Sequence, residues 1–330
     1  HYAHAGSGEI HLRPIINLKT KEGNQLFRTI AEEIATLVKK YKGSLSGEHG
    51  DGRLRGEFIR QMIGEKNYQL LKEIKKAWDP QNIFNPNKIV DTPAMNTMLR
   101  YEPGQQTPVF KTVFRYPNQD VLRHAEQCNG SGDCRKTHLS GGTMCPSYMA
   151  TKNEKDTTRA RANILREFLT HSDKINRFDH KEIYEVMELC LSCKGCKSEC
   201  PSNVDVAKLK AEFLQQYFDA NGVPLRSRII GNFSTLSKAG SLLPGLYNLV
   251  MTGITSGLVK RVAGFAPKRS MPGMYKTTLK RWYSKHRQQA PKNYTRKVYL
   301  FCDEFTNYND TETGIKAVLL LEKLGYEVMI

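Results

Sequence analysis

Between residues 221 and 298 the sequence has no aspartate or glutamate, although fifteen of its 50 lysines and arginines fall there. The rest of the chain carries 35 basic against 33 acidic residues, so the net charge of +17 is a local field with a local purpose. Nucleic acid is the obvious partner for such a stretch, but aromatics are sparse in it and no reader motif appears, so no nucleic-acid partner is expected. Long hydrophobic runs are also missing. A spanning helix needs about 20 predominantly apolar residues. The uncharged stretch 239–259 is broken by Gly240, Pro244, Gly245, Gly253 and Gly257, which argues against a transmembrane helix. Leu243, Leu246, Val250, Ile254 and Leu258 could still form one face of a helix with basic flanks. Such a helix suits peripheral contact with an anionic membrane surface, or the segment wraps its own domain and an acidic neighbour. No N-terminal signal pattern is visible. The chain opens inside a motif at His1 and stops inside what reads as a βαβ unit, so its true ends are expected elsewhere.

Cysteine is scarce outside two clusters, which hold seven of the eight. A disulfide framework is therefore not expected, and thiols kept for metal imply a reducing, cytoplasmic compartment. The denser cluster is Cys190-Leu-Ser-Cys193-Lys-Gly-Cys196-Lys-Ser-Glu-Cys200-Pro201. Three cysteines at two-residue spacing, a fourth after three more, then proline, is the ligand run of a cubane iron–sulfur cluster, whose fourth cysteine commonly serves a second cluster. Structural zinc more often uses two separated pairs. Upstream, Cys128, Cys134 and Cys145-Pro146 form a degenerate copy in which Ser131 stands for the middle cysteine. Crossed ligation puts Cys190, Cys193, Cys196 and Cys145 on a 4Fe-4S cluster. Cys128, Cys134 and Cys200 remain for a second, expected to be 3Fe-4S, or 4Fe-4S with Ser131, Asp133 or water on its last iron. The other reading is that Ser131 marks a decayed, empty site.

The opening, His4-Ala-Gly-Ser-Gly-Glu9-Ile-His11-Leu-Arg13, reads as a glycine turn followed by a strand over 9–18. Alternation puts Glu9, His11 and Arg13 on one face, which suggests a polar site; His1 reads as merely structural. Phe27, Ile30, Ile34, Leu37 and Val38 mark an amphipathic helix over 24–41 whose stripe is expected to be core. Then Ser46-Gly-Glu48-His49-Gly50-Asp51-Gly52 brings the backbone close around an adjacent carboxylate and imidazole. A helix over 65–78 leads into Asp79-Pro80 and Asn85-Pro86-Asn87-Lys88.

These motifs resemble the C-terminal part of the FAD-linked D-2-hydroxyacid dehydrogenases, flavoproteins that include D-lactate dehydrogenase, the glycolate oxidase flavin subunit and D-2-hydroxyglutarate dehydrogenase. The resemblance implies that His4, His11 and Glu48 ligate a divalent metal and that His49 is the base. It also implies FAD, with Asn85 and Lys88 as contacts unless they are only turn chemistry. The family usually has Asp-Gly-Asn where this chain has Ser7-Gly8-Glu9. Two imidazoles and a carboxylate suit zinc, manganese or iron, which would polarise a substrate hydroxyl while His49 takes its proton. Arg13, on the His11 face, is expected to pair with a substrate carboxylate and to favour a dicarboxylate such as 2-hydroxyglutarate. The balancing alternative is that Arg13 only neutralises Glu9 or Glu48.

The run 148–168, with Arg159 and Arg161, resembles the segment after the first cluster motif in glycolate oxidase iron–sulfur subunits. Its arginines either stabilise an anionic cluster or lie on the surface. Residues 297–303, 311–324 and 327–330 read as strand, helix and strand, and resemble the opening of the cysteine-rich domain of glycolate oxidase and heterodisulfide reductase subunits. Cys302 there is a redox candidate, more simply read as packing. The whole is expected to be an α+β multidomain chain. Residues 1–90 would be the C-terminal part of an FAD-linked oxidase substrate domain, 91–120 a linker and 121–220 an all-helical ferredoxin domain with two clusters. A basic helical segment over 221–295 and the start of an α/β cysteine-rich domain over 296–330 would follow. The implied activity is oxidation of a small D-2-hydroxyacid, with electrons passing through the clusters to a quinone or redox protein. The alternative is an electron-transfer module of heterodisulfide-reductase type without its own substrate.

Overall fold

Thr20 sets where the first helix begins: its side chain accepts the Gly23 N–H at 3.0 Å, satisfying one of the free donors of the first turn. This is the computed structural model of the chain, describing residues 1–117, 119–253, 255–289, 294 and 296–330. The described chain is about half helical with little sheet. It divides into two units, His1–Pro108 and Val109–Ile330.

In the first unit, β1 (Tyr2–His4) pairs antiparallel with β2 (Glu9–His11), His4 opposite Glu9 and Tyr2 opposite His11. The strand expected over 9–18 therefore covers only three residues. No partner strand continues the ladder among the described residues, and Pro14 lacks the N–H that a ladder needs. Helix α1 (Lys21–Lys40) carries Glu22 in its first turn and Lys39 and Lys40 in its last, each complementing the helix dipole. It buries Ala35 against Phe58 and Met95. The expected apolar stripe is only partly core. Phe27, Ile30 and Ile34 line a cavity of about 230 Å³ together with Ile10, His11 and Leu12, and Leu37 is exposed. Gly64, at φ 82°, separates α2 (Ile59–Ile63) from α3 (Glu65–Trp78). The Asp79 carboxylate then accepts the N–H groups of Ile83 and Phe84, both at 2.8 Å, closing the turn. Residues within the expected linker fold back onto this unit: Met95 is buried, and the Asn24 amide donates to the Asn96 carbonyl at 2.9 Å.

The second unit packs α4 (Val121–Glu126), α5 (Pro146–Thr151), α6 (Thr158–His171), α7 (Lys181–Glu188), α8 (Gly195–Glu199) and α9 (Val206–Asn221) around one core. Leu122, Leu165, Leu169, Ile183, Met187 and Phe213 are almost wholly buried there, together with four of the cysteines. The run expected over 148–168 is broken between α5 and α6, because Lys152 turns left-handed at φ 56° and Thr157 caps a new helix through the Ala160 N–H. Glu212 is fully buried and accepts from the Val113 and Phe114 N–H groups, which ties residues 113–114 to α9.

Beyond α9 come α10 (Leu225–Gly231), α11 (Phe233–Gly240), α12 (Pro244–Met251) and α13 (Ser256–Ala263). A single amphipathic helix through Leu243 and Leu258 is thus replaced by short pieces. Pro244, with no N–H, starts α12 rather than continuing α11; Ile254 lies outside the described residues. No helix among the described residues is long and apolar enough to cross a membrane. Helix α14 (Leu279–Gln289) precedes β3 (Arg296–Tyr299), α15 (Glu304–Tyr308), α16 (Thr311–Lys323) and β4 (Tyr326–Met329). The two strands run parallel in the register Val298 opposite Val328, with Tyr283, Val318 and Val328 as their core. Cys302 is partly buried just beyond β3, and burial pushes its thiol pKa up.

Candidate metal centres

The hairpin β1–β2 and the loop 46–50 build the first centre. Each of His4, Glu9, His11 and Glu48 offers one ligand atom, and the four atoms lie within 4.8 Å of one another. His11 Nε2 is 3.0 Å from Glu9 Oε1 and His4 Nε2 is 3.4 Å from Glu48 Oε1, while His49 Nε2 stands 2.8 Å from that same Glu48 oxygen. The strand pairing explains half of this, since His4 faces Glu9 across the ladder and His11 follows Glu9 on the same face. Gly47 explains the rest. A Cβ there would sit 1.5 Å from Glu9 Oε2, so a side chain at 47 would push the Glu9 carboxylate out of its place in the group.

The sequence groups His4, His11 and Glu48 as ligands with His49 as base, and places Glu9 on the His11 face without making it a ligand. Glu9 is in the group, with the least exposed side chain of the four. Its same-face spacing with His11 was the available signal. Tyr2 was also missed. Its ring stacks on His11 with centroids 4.5 Å apart, and its hydroxyl accepts from Arg13 Nη2 at 2.7 Å. Arg13 thus lies over the Tyr2 ring at the edge of the centre. Among the described residues it makes no ion pair with Glu9 or Glu48. Two imidazoles and two carboxylates fit a divalent first-row metal. Asn85 and Lys88 are exposed on the loop after α3. In the loop that carries Glu48 and His49, burial raises the Asp51 carboxyl pKa, partly offset by Arg55.

The second centre is a cavity in the helical core. Cys145, Cys190, Cys193 and Cys196 all line it, together with Arg161, Ser147 and Thr158. The loop bends through residues rarely left-handed: Cys145, Ser192 and Lys194 have φ of 60°, 54° and 63°. Such strain persists where the surroundings impose it, commonly at functional sites. Cys145 and Cys196 are buried, and the backbone N–H groups of Val206 and Ala207 serve the Cys196 sulfur. Burial pushes the Cys196 thiol pKa up, and that of Cys134 likewise, so metal uptake there releases protons.

Glu199, unnoticed in the sequence, ties the two motifs together. Its carboxylate accepts the Thr143 N–H at 2.7 Å, the Thr143 hydroxyl at 2.6 Å and the Met144 N–H at 2.9 Å. These contacts anchor the residues immediately before Cys145 to the helix that carries Cys196, and they hold the Glu199 carboxyl below its usual range.

Cys128 and Cys134 lie against α6: the Arg159 N–H donates to Cys134 Sγ at 3.4 Å and the Asn163 amide to Cys128 Sγ at 3.6 Å. Cys200 is partly buried at the end of α8. The Ser131 hydroxyl donates to the Asp133 carboxylate at 3.3 Å. Arg161, for which a surface position was the alternative, is 1% exposed, whereas Arg159 pairs with Glu154 at 2.8 Å. Buried thiols with N–H donors and a buried guanidinium beside them fit anionic iron–sulfur clusters.

Comparison with known proteins finds two matching families. The family of FAD linked oxidases, C-terminal domain, matches residues 1–89, and a 4Fe-4S dicluster domain matches residues 127–205. Along its whole length the chain is 28% identical to a D-2-hydroxyglutarate dehydrogenase of Pseudomonas putida and 26% to one of Escherichia coli, covering 36% of each. A D-lactate dehydrogenase of Archaeoglobus fulgidus is 33% identical over 27% of the chain and 19% of that protein. The chain spans about a third of the length of the relatives that match it throughout. No solved structure matches it. The chain thus carries a segment matching the C-terminal domain of FAD linked oxidases, followed by one matching a 4Fe-4S dicluster domain.

Proposed function

We propose that the chain contributes the substrate-side metal centre and the electron-transfer clusters of a D-2-hydroxyacid dehydrogenase acting on D-2-hydroxyglutarate or a D-lactate-like acid. The convergence of His4, Glu9, His11 and Glu48 carries this reading, with His49 Nε2 2.8 Å from a Glu48 carboxylate oxygen. These four residues would hold zinc, manganese or iron, which lowers the pKa of a bound hydroxyl. With Nε2 held 2.8 Å from the Glu48 carboxylate, His49 would take the hydroxyl proton at its other ring nitrogen, Nδ1. Arg13, held over Tyr2, binds the far carboxylate of a dicarboxylic substrate. FAD, when bound, supplies the hydride acceptor, with Asn85 and Lys88 as contacts.

The crossed pairing gives Cys190, Cys193, Cys196 and Cys145 to one 4Fe-4S cluster. Cys128, Cys134 and Cys200 go to a second, with Ser131 and Asp133 beside them. These centres supply one-electron steps toward a quinone or redox protein. On this reading the chain is cytoplasmic, and the exposed Leu242, Leu243, Leu246 and Leu249 beside basic residues support peripheral contact with the inner face of a membrane. The test is anaerobic dye reduction by the natural full-length protein with D-2-hydroxyglutarate, D-lactate and glycolate, before and after chelation. Turnover that dies with chelator and returns with a divalent metal supports the reading. Failure of every acid while dithionite still reduces intact clusters would leave an electron-transfer module.

A further inference from the structure

Arg161 is the most deeply buried cation beside the four-cysteine cavity, and its guanidinium is only partly used. Nε donates to the Val186 carbonyl at 2.9 Å, and Nη1 donates to the Ser147 hydroxyl at 2.9 Å and to Cys145 Sγ at 3.6 Å. Those bonds tie α6 to α5 and α7 and would suffice for a structural role. Nη2 is buried with no hydrogen-bond partner, the nearest Asp156 oxygen being 3.8 Å away. Asp156, itself buried, balances the charge at that distance without accepting a hydrogen bond from Nη2, and a buried donor left without an acceptor is costly, so an anionic acceptor on this thiol-lined cavity is what Nη2 lacks. Arg159 offers the contrast, because Glu154 already takes its guanidinium at 2.8 Å.

We propose that Arg161 is the residue that tunes the four-cysteine centre. Its unpartnered Nη2–H donates to an anionic iron–sulfur cluster held by Cys145, Cys190, Cys193 and Cys196, and thereby raises that cluster's reduction potential. Taking up one electron adds one negative charge to the cluster. A fixed guanidinium in a low-dielectric core stabilises the reduced form more than the oxidised form. Arginine stays protonated in proteins, so the effect is independent of pH. This inference rests on the reading of those cysteines as cluster ligands.

The experiment is an EPR-monitored redox titration of the full chain with its clusters, comparing the native protein with Arg161→Gln and Arg161→Lys. Iron content is measured alongside. With iron content unchanged, Arg161→Gln is expected to shift the redox equilibrium of the four-cysteine cluster about tenfold toward the oxidised form, about 59 mV. Arg161→Lys should shift it less, the midpoint of the three-cysteine centre should stay put, and the shift should be the same at pH 6.5 and 8.5. Unchanged midpoints in variants that retain their iron would overturn the proposal. If Arg161→Gln does not assemble its cluster, the lysine variant decides: it keeps the charge but loses the forked donor, so a lowered midpoint supports the role and an unchanged one removes it. A native chain that takes up no iron and sulfide would remove the cluster reading itself.

Discussion

The two centres of this chain are built in opposite ways. The imidazole–carboxylate centre stands on a three-residue hairpin and one short loop, and its groups stay partly exposed, His49 at 63% and Glu48 at 42%. The cysteine centre lies among packed helices, with Cys145 at 6% and Cys196 at 8% exposure, although Cys190 is partly buried and Cys193 exposed. The open centre suits a substrate that must enter and leave. The closed one suits electrons, which need no path for atoms and whose energies are set by burial and nearby charge. The open centre should therefore exchange its metal with solution chelators, and the closed one should not.

The sharpest way to break this contrast is to remove a ligand from each. Cys196→Ala is expected to lose one cluster, about four irons per chain, while divalent metal in the first centre is kept; metal and sulfide analysis checks this. His11→Ala should weaken divalent metal binding by roughly a hundredfold or more, since loss of even an outer partner costs about 10–100-fold. Competition with a chromogenic chelator measures that, and cluster absorbance should not change. Glu9→Asn should weaken binding less, because one carboxylate remains, and equal affinity to the native protein would remove Glu9 from the ligand set.

Smaller effects sharpen the comparison within each centre. Arg13→Ala in the natural full-length protein should raise KM for D-2-hydroxyglutarate about tenfold, the loss of one charge-assisted hydrogen bond. KM for D-lactate should barely change, and equal effects on both acids would exclude a dicarboxylate clamp. The smallest expected effect concerns Glu199, whose carboxyl pKa Thr143 and Met144 hold below 4.5. A carboxylate with a lowered folded pKa contributes stability that is present above its unfolded value and is lost as pH falls through the folded one. Cluster bleaching on acidification should therefore begin at higher pH in Glu199→Gln than in the native chain, read as absorbance loss between pH 6 and 3.

What was legible in the sequence follows the same divide. Residues close along the chain announced themselves: the Cys190–Cys200 run, the adjacent Glu48 and His49, and the helix over 65–78 found at Glu65–Trp78. The spacing also suggested which cysteines to group, and Cys145 does share a cavity with Cys190, Cys193 and Cys196. What stayed hidden depends on contacts across the fold. Glu199 reaches back 55 residues to Met144, and Glu212 reaches 98 residues to Phe114. No local pattern marks either. The strand over 9–18 and a single helix through Leu243 and Leu258 failed for a different reason: periodicity suggested their faces, but Pro14 lacks the N–H that would extend the ladder, and the helix breaks after Met251, beside Gly253. Glu9 was visible by its alternation with His11, and was obscured by comparison with a motif that has asparagine there.

The most direct test of two separate centres is anaerobic metal and sulfide analysis of the chain, reconstituted with iron, sulfide and one divalent metal, before and after dialysis against EDTA. The account predicts that the divalent metal leaves while iron, sulfide and the cluster EPR signals remain, and that Cys196→Ala, before dialysis, holds the divalent metal but about four fewer irons. Loss of iron and divalent metal together, at the same chelator concentration, would contradict it.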